Sequence, residues 1–350
     1  MKEIGFGIVG CGMIAEFHAK ALAGVKGGRL VGVMSRSEDK AKKTGAQFGV
    51  PHFTDLKQLL AAPGLDAVCI TTPSGSHLEP VVEAANAGKH IVCEKPLEIT
   101  LDRIDKLVAA CDKNKVKFGA IFQARFGEGA QTARKAVQAG RLGKMTLCDC
   151  YVKWWRTQAY YDSGGWRGTW KLDGGGALMN QSIHAIDLLQ WLVGKPSEIA
   201  GFTGTLAHER IEVEDTAAAA LKYPNGALGV IQGATSVFPG FLKRVELSGD
   251  KGSIVLEDDR ITCWKFEKEM PEDEAVRQKF AHAGAIGGGA SDPRAISTEG
   301  HRMQLQDMVD AINAGREPRI PGREGRNAVE IILAIYKSAK EGKAVKLPLK

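Results

Sequence analysis

Three residues in this chain have the type and setting for proton transfer at a carbon–oxygen centre. Lys95 stands in Glu94-Lys95-Pro96, directly after the apolar run 90–93. A lysine half withdrawn from water there binds its proton less tightly, which suits it to proton transfer or to holding a hydroxyl. On local sequence alone, an ordinary surface lysine after a strand serves equally well. His184 and Asp187 lie three apart in the run 178–192, which reads as a helix, so they share a face with Gln181. Histidine titrates near neutral pH, and a carboxylate beside it can orient the ring. A lone histidine on such a helix is more often a buried structural one. Asp187 and the preceding Gly174-Gly175-Gly176, which permits close approach to a ligand or cofactor, favour a catalytic His184.

A second chemistry-bearing element sits at the start of the chain. Gly10-Cys11-Gly12-Met13-Ile14-Ala15 follows the apolar run 4–9 and opens the helix-like run 13–22. In that strand–turn–helix setting Gly10 makes the tight turn and Gly12 lets backbone approach a pyrophosphate. The amides around Met13 and Ile14 face the phosphates, and Ala15 lets the helix pack closely. A dinucleotide is therefore the expected cofactor. The next strand, 30–34, ends at Ser35-Arg36-Ser37, with no acidic residue for a ribose 2′-hydroxyl before Glu38 and Asp39. Ser35 and Arg36 can accept a 2′-phosphate, which leans the NAD(P) expectation toward NADP; stacking of Arg36 on adenine is the other reading. After strand 67–71, Thr72, Pro73 and His77 line a cofactor, or form a plain loop capped at Ser74 or Ser76. Glu94 and Lys95 complete the cofactor edge.

The elements that must position these groups follow from periodicity. Strand-like and helix-like runs alternate to residue 122: helices over 38–48, 78–87 and 101–114, strands over 90–93 and 116–121. Near-continuous apolar strands separated by helices predict a parallel, doubly wound α/β sheet, with ligands at its C-terminal edge. Beyond 122 the pattern changes. A helix over 129–139 precedes strands at 146–154, 217–223, 227–235, 244–248, 253–257 and 260–264, with hairpin signals at Pro224-Asn225-Gly226 and Gly249-Asp250. This predicts an α+β domain with a large open, mostly antiparallel sheet. The expected division is 1–122 for the dinucleotide-binding domain and 123–350 for substrate binding and oligomerisation. Residues 284–292 form a glycine-rich loop, and 328–341 a final helix before the short run 345–349.

Large rings and arginines crowd 154–170. Trp155, Arg156, Tyr160 and Trp166 read as a substrate wall, since aromatic faces and arginines suit sugar rings and phosphate or carboxylate groups. The other reading is a tryptophan-rich core or subunit surface. Gln123 and Arg125, just past the last strand of the first domain, are placed with the wall.

Composition bounds the rest. The 350 residues exceed one usual core, so two domains are expected. Hydrophobic content of 44%, charge of 25% and a net charge of +6 are ordinary for a globular protein. Lys and Arg are scattered, so nucleic acid is not an expected partner. The first strand begins within five residues of Met1, leaving no room for a signal peptide, and no apolar stretch is long enough to cross a membrane. The cysteines form no C-x-x-C pair; free thiols suit a reducing cytoplasm, and no metal is expected.

Gly10-Cys11-Gly12-Met13-Ile14-Ala15 with Glu94-Lys95-Pro96 resembles the Gfo/Idh/MocA family, and the likeness continues through 174–187 and the C-terminal segments 307–313 and 338–349. The resemblance implies that Lys95 and His184, with Asp187 beside His184, flank the substrate carbon that yields hydride. It implies a cytoplasmic NAD(P)-dependent sugar or polyol dehydrogenase, assembled as a homodimer or homotetramer through the open sheet. Arg156, Tyr160, Tyr161, Asn180 and Gln181 are similar to members that act on nucleotide-linked or glycosidic sugars. Two alternatives stand beside it: a cyclic redox enzyme (epimerase, eliminase or glycosidase-like) that returns its hydride, and a non-enzymatic nicotinamide sensor.

Overall fold

The computed structural model describes residues 2–281, 290 and 297–349. It divides into two compact units: 1–123 with 297–326, and 124–296 with 327–350. The glycine-rich loop at 284–292 falls outside the described residues except for Ala290.

In the first unit, β1 (Ile4–Val9), β2 (Gly28–Met34), β3 (His52–Phe53), β4 (Ala67–Ile70), β5 (His90–Cys93) and β6 (Phe118–Ala120) form one parallel sheet. Its order is β3-β2-β1-β4-β5-β6, the doubly wound arrangement expected from the alternating pattern. The helices between them are α1 (Met13–Leu22), α2 (Glu38–Phe48), α3 (Leu56–Leu60), α4 (Leu78–Asn86) and α5 (Leu101–Lys113). β1 is buried along its whole length, as a central strand covered on both faces must be. Short-range chemistry sets the helix starts. The Asp55 side chain accepts from Lys57 N–H at the start of α3, and Thr100 from Arg103 N–H at the start of α5. The chain order reverses between the adjacent strands β1 and β4, the switch point where ligands bind in such sheets. The glycine turn follows β1, the Thr72 loop follows β4, and Lys95 follows β5, so three neighbouring strand ends carry three of the motifs.

The second unit holds α6 (Glu128–Gln138), β7 (Met145–Lys153), α7 (Gln158–Asp162), α8 (Ile183–Val193), β8 (Glu198–Gly204), β9 (Thr216–Lys222), β10 (Leu228–Ala234), β11 (Arg244–Gly249), β12 (Gly252–Glu257), β13 (Arg260–Phe266) and α9 (Pro271–Ala281). The eight-stranded sheet runs β13-β12-β11-β7-β10-β9-β8-β14, closed at one edge by β14 (Val345–Lys346). It is antiparallel except where β10 lies parallel to β7. Burial alternates along β9, so one face packs and the other is open. Ile183, Ile186, Leu189 and Leu192 of α8 are buried in the core.

The expected single boundary at 122/123 does not describe the units. Residues 297–326, including α10 (Glu299–Ala314), return to the first unit. The reason is apolar burial: Leu305, Met308 and Val309 of α10 join Ala15, Ala19 and Leu22 of α1 in one core cluster. The unit division then falls inside α11 (Gly322–Glu341).

Candidate active site

The first unit builds its part of the site from three strand ends. At Gly10 the backbone has φ +106°, and an added Cβ would lie 2.8 Å from the Thr71 carbonyl carbon and oxygen, so no other residue fits that turn. The Thr71 hydroxyl donates to the Gly10 carbonyl at 2.8 Å, tying the turn to the neighbouring strand. Gly12 caps α1 with no side-chain bond, and a Cβ there would meet nothing within 4 Å. Open space over the first amides of α1, beside Met13 and Ile14, is what a pyrophosphate needs. Ala15 is fully buried, as close packing of α1 requires.

Ser35 is half-buried and its hydroxyl accepts from Ser37 N–H; Arg36 is exposed. Thr72 donates its hydroxyl to the Ser76 carbonyl, and Pro73 begins a short 3-10 turn over Ser74–Ser76. His77, placed with the cofactor residues from sequence, is buried with both ring nitrogens against backbone: Nδ1 lies 3.0 Å from the Pro96 carbonyl and Nε2 2.9 Å from that of Thr72. It braces the loop that carries Lys95.

Glu94 is also inward. Its Oε1 lies 2.8 Å from His18 Nε2 on α1 and 3.3 Å from His301 Nε2 on α10, while its Oε2 accepts the Lys95 N–H at 3.2 Å. Burial works to raise the Glu94 carboxyl, but the two histidines outweigh it and hold it well below the usual carboxylate range. Burial lowers His18 against the pull of Glu94, so that ring stays neutral. The three ligand-type atoms lie within 4.8 Å of one another. Ligating histidines normally pass their second N–H to an acceptor, yet Nδ1 of both rings is buried with no hydrogen-bond partner. The geometry is that of a carboxylate clamped by imidazole donors. Lys95 itself is half-buried, with its backbone fixed from the Glu94 side and from the His77 side.

His18 and His301 were not found from sequence. A signal existed: His18 falls among Ala15, Ala19 and Leu22 on the buried side of α1, where an ionisable side chain needs a partner. Gln304, one turn after His301, accepts from Phe122 N–H at 3.1 Å and donates to the Ala120 carbonyl. The buried polar residues of α10 thus tie down two strand ends. Gln123, at the end of this unit, is half-buried, and its Oε1 has no hydrogen-bond partner.

The second unit carries His184 as the second residue of α8, half-buried. The run 178–192 is not one α-helix: residues Ala177–Ser182 form a π-turn first. Its start is held by Glu214, which accepts from Gly176 N–H at 2.9 Å, Leu178 N–H at 2.8 Å and Tyr336 O–H at 2.9 Å. Burial pushes the Glu214 carboxyl up to about 7 against those donors. The glycine run serves this packing. A Cβ on Gly175 would lie 2.1 Å from the Tyr336 hydroxyl, and one on Gly176 1.8 Å from the Glu214 carbonyl. The close approach here is to the protein's own backbone and side chains.

Asp187 is fully buried and grips Arg125 in a two-bond fork: Oδ2 to Nε at 2.7 Å and Oδ1 to Nη2 at 2.6 Å, with Gln190 donating to Oδ1 at 3.1 Å. Arg125, placed with the substrate wall from sequence, is buried in this pair. Arg156 is buried too. It donates to the Trp155 and Ala290 carbonyls and, at 3.0 Å, to Gln181 Oε1. Gln181 donates in turn to the Tyr160 hydroxyl at 2.8 Å. Trp155 and Trp166 are half-buried, the Trp155 ring lying edge-on to Phe238. The aromatic stretch and the π-turn before His184 are therefore one hydrogen-bonded network.

Comparisons with known proteins add the following. Residues 4–122 match the oxidoreductase family with an NAD-binding Rossmann fold, and residues 130–255 match the GFO/IDH/MocA C-terminal domain. The chain is similar to the WlbA dehydrogenase from Bordetella pertussis, solved in complex with NADH and UDP-GlcNAcA: 34% identity over 100% of this chain and 99% of that one, TM-score 0.91. It is similar also to the corresponding dehydrogenase from Chromobacterium violaceum with the same two ligands, at 32% identity, covering 100% of this chain and 97% of that one, TM-score 0.89. Myo-inositol 2-dehydrogenase from Thermotoga maritima is 26% identical over 97% of this chain and 98% of its own length.

Proposed function

The chain belongs to the Gfo/Idh/MocA oxidoreductase family, and we propose that it passes hydride between a nicotinamide cofactor and a secondary alcohol of a nucleotide-linked sugar. The whole-chain likeness to a dehydrogenase holding NADH and UDP-GlcNAcA carries this reading. The residues present fit a dinucleotide: the Gly10 turn, open space at Gly12 and the amides opening α1 would hold its pyrophosphate. When bound, the nicotinamide supplies the hydride acceptor or donor. His184 takes the hydroxyl proton, and Lys95 holds the same oxygen as negative charge develops on it. Gln181, Tyr160, Trp155 and Trp166 face the sugar nucleotide. Arg125 and Arg156 act behind them, their guanidinium groups being committed to Asp187 and Gln181.

NAD(H) is the pair bound by the relatives' structures. A lean to NADP rests on Arg36, exposed and without an ion pair among the described residues. Equal affinity for NADH and NADPH removes that lean. The test of function is nicotinamide absorbance against nucleotide sugars, free sugars, inositols and glycosides, each with NAD and NADP, beside a Lys95→Ala control. Turnover with a nucleotide sugar, lost in the control, is expected. Silence from a protein that binds NADH, with solvent deuterium entering the sugar, transfers the reading to the cyclic enzyme; silence in both transfers it to the sensor.

No helix among the described residues is long and apolar enough to cross a membrane. The seven free cysteines support the proposal of a reducing cytoplasm. The open sheet face supports a homodimer or homotetramer. Phe202 pairs with Ala218, and Leu228 with Leu147; Phe202 is 80% exposed and Leu228 54%. Apolar surface of this kind marks an interface. Light scattering is expected to give two or four subunits and to show dissociation in Phe202→Glu; a monomeric parent chain removes the proposal.

A further inference from the structure

We infer that Arg167 is the anchor for a carboxylate on the sugar, which makes the substrate a uronic acid derivative. The inference rests on the sugar-nucleotide reading above and extends it to a residue and a functional group.

The second unit commits its other well-placed arginines. Arg125 is forked to Asp187, Arg141 to Asp273, Arg210 to Asp162, and Arg156 spends its donors on two carbonyls and Gln181. Arg167 differs. It is half-buried, its Nε is buried without a hydrogen-bond partner, and no carboxylate among the described residues pairs with it. A cation partly withdrawn from water without a counter-ion is costly unless a ligand supplies the charge.

Its placement selects the ligand. The guanidinium carbon lies 4.5 Å from the Tyr160 ring centre and 4.8 Å from that of Trp166. Two rings therefore hold the flat group, leaving its N–H edge for a planar two-oxygen partner. The backbone is fixed on either side, Arg167 N–H donating to the Gly164 carbonyl and Gly168 N–H to Asp173 Oδ2. Asp173, the nearest acid in the chain, also receives Asn180 Nδ2 at 2.6 Å. Tyr160 connects this cation to the chemistry: its hydroxyl accepts from Gln181, three residues before His184. An anion held on Arg167 thus belongs to the sugar end of the substrate, where the carboxylate of a uronate lies, rather than to the distant diphosphate.

The experiment compares UDP-glucuronate with UDP-glucose in the parent chain, Arg167→Met and Arg167→Lys. Arg167→Met is expected to raise KM for the uronate so that kcat/KM falls roughly 10²-fold, the scale of a charged hydrogen-bonded pair. The neutral sugar changes little, and Arg167→Lys keeps part of the uronate preference. An equal loss on both sugars overturns the inference, pointing to the diphosphate or to packing on Tyr160; so does no loss. If the parent chain turns over no nucleotide sugar, the substrate reading fails first. Arg167 is then tested by tryptophan fluorescence, Trp166 being the reporter, with D-glucuronate against D-glucose. A uronate preference lost in Arg167→Met supports the anchor, and equal binding of the two overturns it.

Discussion

Lys95→Met and His184→Asn are each expected to lower kcat by roughly 10²–10⁴-fold, with NADH binding kept close to that of the parent chain. The separation follows from where the groups sit. The dinucleotide features belong to the Gly10 turn and α1, whereas the Lys95 side chain leaves the end of β5 and His184 stands on α8 of the other unit. The Lys95 backbone is held by Glu94 and the loop after it by His77, so a methionine of similar length leaves the turn in place. Two further results test the assignment to one oxygen. The double variant is expected to lose about as much as the worse single one, because groups that act as a unit are not additive. His184→Asn is also expected to flatten the acid limb of the pH–rate profile, since the proton acceptor that titrates near neutrality is gone. Multiplicative losses would separate the two residues into independent roles. Stopped-flow absorbance in a single turnover is the measurement, because it reads hydride transfer before product release.

Much of this arrangement was legible in the sequence because it depends on local rules. The Gly10 turn needs a residue without Cβ, and the run of apolar residues in β1 and β4 needs a sheet covered on both faces. The alternation in β9, β10 and β11 gives a sheet with one open face. What sequence withheld was non-local. The segment 198–204 was not read as a strand: Glu198-Ile199-Ala200-Gly201-Phe202-Thr203-Gly204 has two glycines and one β-branched aliphatic residue, and it is defined by its pairing with β9. The return of α10 to the first unit depends on Leu305 and Met308 meeting α1, which lies nearly the whole chain away. The same limit applies to the site. Arg125 is a plausible substrate residue when seen beside Gln123; the structure shows its guanidinium bound to an aspartate 62 positions later. Arg156 and Arg167 are near neighbours of one composition in one stretch, yet one is buried in backbone bonds and the other rests on two rings without a counter-ion.

The Arg125–Asp187 pair sets the second large effect: Asp187→Ala is expected to destabilise the second unit by about 3–5 kcal/mol. Both side chains are almost wholly inaccessible, 4% and 1% exposed, so loss of the carboxylate strands a guanidinium in a medium that solvates it poorly. The pair also joins the turn before α6 to α8 one turn beyond His184, so its loss is expected to loosen the helix that carries the proton acceptor. All six tryptophans (154, 155, 166, 170, 191 and 264) lie in the second unit, so denaturant titration followed by tryptophan fluorescence reads that unit alone. Trp191 is a close reporter, with Arg125 5.7 Å from its ring centre. Replacing both partners, Arg125→Met with Asp187→Leu, is expected to recover most of the stability, because an apolar pair of similar volume leaves no charge uncompensated. It is not expected to recover the rate if Asp187 also supports the charged form of His184. A recovered rate would assign the pair to architecture alone; a stable but slow double variant would place Asp187 in the proton-transfer chain, acting through His184.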